Sequence, residues 1–285
     1  ASFQLENKDG LDFGNFSYDF LTNTFVNALD RQITFQGGGL ISEVGLGKTL
    51  EMVILAVLNT PKKVPVFQSE DKLHGRATLV ICPSQLCGQW KREIAQYFQK
   101  DKGPKVISIL TKRDYDKYTY KDLLEADFVI VSYTFISTNK VFLQHFIPAS
   151  SYRAKKYWYM EVDIPDLLEK KGKELLSKKE VALEQKYTLL PLIHWHRLVV
   201  DEFHEINKVD KYINLRHLLS SFKATYRWCM SATPFVEAAG LFNAVHFLVD
   251  YSPEIRRRDP RFLLDENIRK YLLENSFRRN TRETV

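Results

Sequence analysis

"GGGLISEVGLGKTLEMV", residues 37–53, decides how this chain folds, because a glycine-rich turn leads directly into an apolar run. Gly45 and Gly47 permit a tight turn in which backbone N–H groups approach an anion closely, and Lys48 supplies a positive charge to β and γ phosphates. Thr49 can offer its hydroxyl to magnesium. The run LEMVILAVL predicts a helix, so the turn ends at a helix N-terminus whose partial positive charge also favours phosphate. A phosphate loop usually begins with a glycine six residues before its lysine; Ser42 stands there in this chain. Taken alone, the stretch can also be read as an ordinary glycine-rich loop carrying a lysine.

Working outward, apolar runs recur between turn signals: TLVICP at 78–83, KVISIL at 105–110, DFVIVSY at 127–133, HRLVVDE at 196–202 and YRWCMSATP at 226–234. They read as buried strands. Between them, LCGQWKREIAQYFQK at 86–100 repeats Leu86, Trp90, Ile94, Tyr97 and Phe98 at helical spacing. β-Branched strands alternating with amphipathic helices predict an α/β fold, with a mostly parallel central sheet covered by helices on both faces. Residues 145–190 interrupt the alternation and read as an insertion. A protruding helical hairpin is one reading, since Leu168, Leu175 or Leu176 and Leu183 fall near heptad spacing. An arm that binds DNA or a protein partner is the other, since Arg153, Lys155 and Lys156 neighbour Tyr152, Tyr157, Trp158 and Tyr159.

The acid pair carries the second signal. RLVVDEFHE at 197–205 is an apolar strand ending in adjacent carboxylates, and successive strand residues face opposite ways, so the two acids can take different roles. Asp201 can hold magnesium, and Glu202 can orient and deprotonate an attacking water. His204 can sense a phosphate-linked element or cap the turn. In MSATPF at 230–235, Ser231 and Thr233 offer hydroxyls able to bridge from the acid pair to a neighbouring surface. His194 and His196 read as structural, because no further ligand cluster completes a metal site.

Composition sets the outer limits. A chain of 285 residues, 45% apolar and 27% charged, can bury one large core or two modest ones. No apolar run reaches the roughly 20 residues that cross a bilayer, so no membrane partner is expected. Three cysteines, Cys82, Cys87 and Cys229, are too few for a disulfide framework and point to a reducing compartment. A net charge of +6 favours a polyanionic partner, although lysines on a solvated face have the same effect on the sum.

The ordered series resembles the helicase-like ATPases of superfamily two, and within them the Swi/Snf-related DNA translocases. EVGLGKT is similar to their nucleotide loop, TLVICPSQLCGQWKREI and DFVIVSYTFI to two segments that contact a DNA strand, HWHRLVVDEFHEI to their Walker B strand, and SFRRNTRETV to the basic segment ending the first lobe. The wording WHRLVVDE and the insertion before it resemble the branch of RING-bearing postreplication-repair translocases such as SHPRH and HLTF. The resemblance implies that residues 1–285 form the first RecA-like lobe of a P-loop NTPase. It implies ATP and magnesium as cofactors, with Glu43, Val44, Gly45, Leu46, Gly47, Lys48 and Thr49 around the nucleotide, Thr49 and Asp201 on the metal, and His204, Ser231 and Thr233 as coupling residues. Lys48, Asp201 and Glu202 are the expected catalytic residues. Ser84, Gln89, Lys91, Arg92, Ser132 and Tyr133 are the expected contacts to double-stranded DNA, bare or in nucleosomes. A second RecA-like lobe is expected elsewhere in the parent protein, so this lobe alone should hydrolyse ATP very slowly. Chromatin remodelling or DNA repair in the nucleus is the implied setting, with a viral or cytoplasmic setting as the alternative. The family's adenine-recognising glutamine motif is not recognisable in residues 1–36, where Gln4 is the candidate. A catalytically silent nucleotide-binding scaffold and another kind of P-loop NTPase stay open as readings.

Overall fold

The apolar β-branched runs become neighbouring strands of one parallel sheet. The structure, a computed structural model, describes residues 2–4, 15–19, 24–27, 36–98, 102–146, 162–208, 212–233, 238–249, 270, 273–274, 276–279 and 281. Strands β1 (Ser2–Gln4), β2 (Asn15–Asp19) and β3 (Thr24–Asn27) pair antiparallel in a small separate sheet. The main sheet starts with β4 (Gly37–Leu40), followed by helix α1 (Lys48–Leu58), β5 (Leu73–His74), β6 (Thr78–Cys82), α2 (Ser84–Gln96) and β7 (Val106–Ile109). Next come α3 (Lys112–Tyr115), α4 (Tyr120–Glu125), β8 (Phe128–Ser132), α5 (Tyr133–Thr138) and α6 (Lys140–Leu143). The chain continues through α7 (Ile164–Ser177), α8 (Glu180–Leu183), β9 (Ile193–Val200), α9 (Phe203–Lys208) and α10 (Ile213–Leu218). It closes with β10 (Lys223–Met230), α11 (Ala238–Leu248) and β11 (Phe277–Arg278).

The strand order is β11-β4-β10-β9-β6-β8-β7, with β5 added beside the first residues of β9, and every pairing in this sheet is parallel. Alternate residues of the strands feed two cores, as the pleat requires. Val80, Ile130 and Val199 pack with Met52, Val53, Trp90 and Ile94 of α1 and α2 on one face. Leu79, Ile81, Val129, Val131, Leu198 and Val200 join the larger core on the other face, with Phe135, Leu215 and Val245 from α5, α10 and α11. Residues 37–40, read from sequence as part of a turn, are a strand between β10 and β11. Its glycines have no side chains, so no periodicity marks it.

The described part of the insertion corrects the protruding-hairpin reading. Ile164, Leu168 and Leu175 of α7 join the larger core, and Gly172 lies so close to the loop before β5 that a Cβ there would stand 1.9 Å from the Asp71 carbonyl oxygen. The helix is therefore laid against the lobe. Its position beside Asp71 and β5, which pairs with the start of β9, puts it at the amino end of the sheet, away from the expected strand-tracking face. Its outer face neutralises its own charge through Lys170–Asp166, Lys173–Glu169 and Lys178–Glu174 pairs. The basic aromatic stretch 152–159 lies outside the described residues.

Candidate nucleotide site

Each sequence motif lies where a strand of the main sheet ends. The glycine loop follows β4, Ser231 follows β10, Asp201 follows β9, Ser84 follows β6 and Tyr133 follows β8. Those five strands are consecutive in the sheet and parallel, so their carboxyl ends share one edge, the edge where open α/β sheets place ligands.

In the loop, Gly45 and Gly47 take φ of 88° and 78°, and nothing lies within 4 Å of where either Cβ would stand. Left-handed backbone, rather than crowding, is what demands glycine there. Gly47 is the N-cap of α1, which places Lys48 and Thr49 in the first turn. Lys48 Nζ donates to the carbonyls of Ser42 at 2.7 Å and Glu43 at 3.2 Å, while the Leu46 N–H donates to the Glu43 carbonyl at 3.3 Å. Val44 stands 71% exposed at the tip, and Ser42, the position of the missing first glycine, is fully buried. The loop lines one side of a cleft of about 380 Å³, α2 lines the other with Gln89, Trp90, Glu93 and Gln96, followed by Tyr97, and Asp201 and Glu202 complete it. A larger groove of about 720 Å³ between α1, β4 and β11 holds Ile54, Leu58 and Phe277 but neither acid nor Lys48.

Asp201 is buried, and each of its carboxylate oxygens has a donor. Oδ1 accepts from the Glu202 N–H and Oδ2 from Trp90 Nε1, both at 2.9 Å. Its N–H donates to the Ile81 carbonyl at 3.0 Å, and its carbonyl accepts from the Tyr133 hydroxyl. Burial pushes the carboxyl up to about 6, with the neighbouring Glu202 charge adding to the rise, against the pull of the Trp90 bond and of Lys48. Glu202 is held at φ 52°, a left-handed conformation uncommon outside glycine. Its Oε2 is buried and has no hydrogen-bond partner, although it lies 3.3 Å from His204 Nδ1. The hydrogen bond of that nitrogen is to Ser231 Oγ at 2.8 Å, so the imidazole is bonded to the serine and lies beside the acid. Ser231 Oγ donates to the Thr233 carbonyl at 2.9 Å. The structure thus brings Lys48, Asp201, Glu202, His204, Ser231 and Thr233 to one edge.

The expected DNA contacts separate into two groups. Ser84, Lys91 and Arg92 are exposed on α2, whereas Gln89 faces the cleft and donates to Glu93 at 2.7 Å. Ser132 and Tyr133 are not presented to solvent: Ser132 Oγ accepts from the Phe135 N–H as the cap of α5, and the Tyr133 ring is buried with its hydroxyl on the Asp201 carbonyl. The hydroxyl offered at that strand end belongs to Thr134, which accepts from Ser84 Oγ at 3.0 Å. Trp90 was visible in the sequence only as one of the apolar positions of a helix face. A buried indole must place its single N–H on an acceptor, and that requirement was the available signal. His194 stacks on His74 with ring centroids 4.8 Å apart, and His196 Nε2 meets the Asn59 carbonyl at 2.6 Å, both near the start of β9.

A magnesium-nucleotide fits these residues. The loop is open on the side of its left-handed glycines, a lysine and a threonine open α1, and a buried carboxylate shares their cleft. Comparisons with known proteins point the same way. An ATP-dependent helicase of Schizosaccharomyces pombe is 25% identical over 206 residues, covering 70% of this chain and 16% of the relative. The DNA repair protein rad8 of the same organism is 25% identical over 228 residues, covering 75% of this chain and 16% of rad8. The human E3 ubiquitin-protein ligase SHPRH is 26% identical over 178 residues, covering 61% of this chain and 9% of SHPRH. The chain thus spans about a sixth or less of the length of these relatives. Residues 17–251 match the SNF2-related domain, and on that match the chain belongs to the SNF2-related family of helicase-like ATPase domains.

Proposed function

We propose that this chain is the ATP-binding lobe of a DNA-dependent ATPase that moves along double-stranded DNA. The carrying observation is the convergence of the loop lysine, the acid pair and the His204–Ser231 contact on one sheet edge, beside the exposed Ser84–Thr134 hydroxyl pair. Lys48 meets the charge of the β and γ phosphates, with the backbone of Glu43, Val44, Gly45, Leu46 and Gly47 around them. Thr49 and Asp201 hold magnesium, which when bound neutralises charge developing on the transferred phosphoryl group. Glu202, its Oε2 free of a hydrogen bond, accepts the proton of the attacking water. His204 and Ser231 relay the state of the acid pair to the Thr233 turn, a surface suited to a second RecA-like lobe.

Ser84 and Thr134, with Lys91 and Arg92, contact DNA phosphates, which suits tracking that is indifferent to sequence. ATP binding then clamps two lobes across the duplex and hydrolysis releases them, stepping by population shift. Action in DNA repair or chromatin remodelling in the nucleus, on bare or nucleosomal DNA, is consistent with relatives that include a DNA repair protein. ATP turnover with and without duplex DNA in a protein carrying both lobes tests the reading. Turnover is expected to rise with DNA and to fall at least about a hundredfold in Glu202→Gln with ATP binding retained. Equal turnover by Glu202→Gln contradicts the general-base role, and absence of ATP binding by the unmodified protein leaves the scaffold reading.

A further inference from the structure

Two buried side chains grip Asp201 from two different helices. The indole N–H of Trp90, on α2, donates to Oδ2 at 2.9 Å, and the hydroxyl of Tyr133, the first residue of α5, donates to the Asp201 carbonyl. Trp90 and Tyr133 are buried, so water does not compete for either bond. With the Glu202 N–H on Oδ1, the Trp90 bond fixes the rotation of the carboxylate. Without it, one oxygen loses its donor and the group is free to turn.

The first turns of the same two helices carry Ser84 and Thr134 at the outer edge, whose hydroxyls bond at 3.0 Å. Ser84 opens a 13-residue helix, and Trp90 lies about 9 Å further along its axis, within reach of rigid-body motion. Thr134 is joined to Tyr133 by a peptide bond. Each helix that offers a hydroxyl outside therefore holds Asp201 inside.

We propose that Trp90 and Tyr133 are positioning residues that tie DNA phosphate contact at Ser84 and Thr134 to the setting of Asp201, so that a duplex and a magnesium-nucleotide bind cooperatively. The proposal rests on the reading of this edge as a nucleotide and DNA site. Contact with a phosphate backbone pulls the first turns of α2 and α5 into one arrangement; the Trp90 bond carries it to the carboxylate and the Tyr133 bond to the backbone that bears it. Trp90 stands in the wall of the nucleotide cleft, whereas Tyr133 does not line it. By linkage the coupling is reciprocal, and its ordinary range is about 5- to 150-fold in affinity.

The test measures binding of a fluorescent ATP analogue with magnesium to the chain, with and without saturating duplex DNA, and duplex binding with and without the magnesium-analogue. Trp90→Phe and Tyr133→Phe are compared with the unmodified chain. In the unmodified chain each ligand is expected to raise the affinity for the other by the same factor, about fivefold or more. In both variants the factor is expected to fall to about one. In Tyr133→Phe, duplex affinity and magnesium-free analogue affinity should stay within about twofold, a split that a merely structural defect would not give. Tyr133→Phe removes a single oxygen atom, so it decides the matter if Trp90→Phe fails to fold. Coupling that persists in the variants, or two affinities that are independent in the unmodified chain, overturns the proposal. An unmodified chain that does not bind the analogue at all instead removes the nucleotide-site reading on which the proposal stands.

Discussion

The two ends of the parallel sheet both carry buried or half-buried polar side chains, and they use them differently. At the amino end, Arg197 donates to Thr78 Oγ1 at 3.1 Å and to the Asn59 carbonyl at 3.4 Å, tying the end of α1 to β6 and β9. Lys72 donates to the Pro191 carbonyl at 3.0 Å, and α7 closes its charges into pairs along its own surface. Polar groups there bridge neighbouring elements and hold them together, although Arg197 Nε is itself buried without a hydrogen-bond partner. At the carboxyl end, donors converge on Asp201, Glu202 keeps an oxygen without a hydrogen bond, and its left-handed backbone costs on the order of 1–3 kcal/mol. Those features do not stabilise the fold. They persist because the strands beneath are held by the two apolar cores, which is the arrangement expected of a site that works on a ligand.

Substitutions can break or sharpen this contrast. The largest effect is expected from Lys48→Ala, which removes a charge-assisted contact to phosphate and should weaken ATP binding by roughly ten- to a hundredfold with the fold intact. Calorimetric titration with a thermal melt on the same sample checks it. At the opposite end, Gly172→Ala drives a Cβ to 1.9 Å from the Asp71 carbonyl and should cost about 1–3 kcal/mol of stability without altering ATP affinity. Unchanged denaturant stability in that variant contradicts the close packing of α7.

Acid sets the two ends against each other. Burial holds the pKa of His74 and His196 below the ordinary 6.5, so the unfolded chain binds more protons there below that pH, and stability is lost as pH falls from 6.5 through their folded values. Asp201 has the opposite sign: its folded pKa of about 6 lies above the ordinary 3.8, so its contribution is present at low pH and is lost as pH rises through 6. Asp201→Asn deletes only the second contribution, so its melting temperature should fall more steeply between pH 6.5 and 5 than that of the unmodified chain. Parallel melting curves rule out the offset. The smallest effect is expected from Lys170→Ala and Lys173→Ala on α7, whose exposed pairs should leave both the melting temperature and duplex affinity unchanged. A drop in duplex affinity gives the described part of the insertion a DNA role.

Much of this was legible in the sequence for identifiable reasons. Buried parallel strands are continuous β-branched runs, so TLVIC, FVIVS and RLVV marked β6, β8 and β9 directly. Phosphate chemistry needs particular residues at fixed spacing, which exposed the loop and the acid pair. Their meeting with His204 and Ser231 required the strand order β4-β10-β9, which no local pattern states. What stayed hidden depended on direction rather than identity. Periodicity placed Trp90 on a buried face but not its N–H on Asp201, and the resemblance of DFVIVSYTFI to a strand-contacting segment implied a surface role for a tyrosine that points inward. The heptad-spaced leucines of α7 read as the seam of a protruding hairpin, and the decisive residue was Gly172, whose close contact comes from a loop a hundred residues earlier in the chain.

The most direct measurement is calorimetric titration of this chain with ATP in the presence of magnesium and again in excess chelator. ATP should bind with magnesium and more weakly without it. Asp201→Ala should lose the magnesium dependence while keeping the weaker binding, and Lys48→Ala should lose most of both. ATP binding that is indifferent to magnesium and unaffected by either substitution would contradict the assignment of this sheet edge as the nucleotide site.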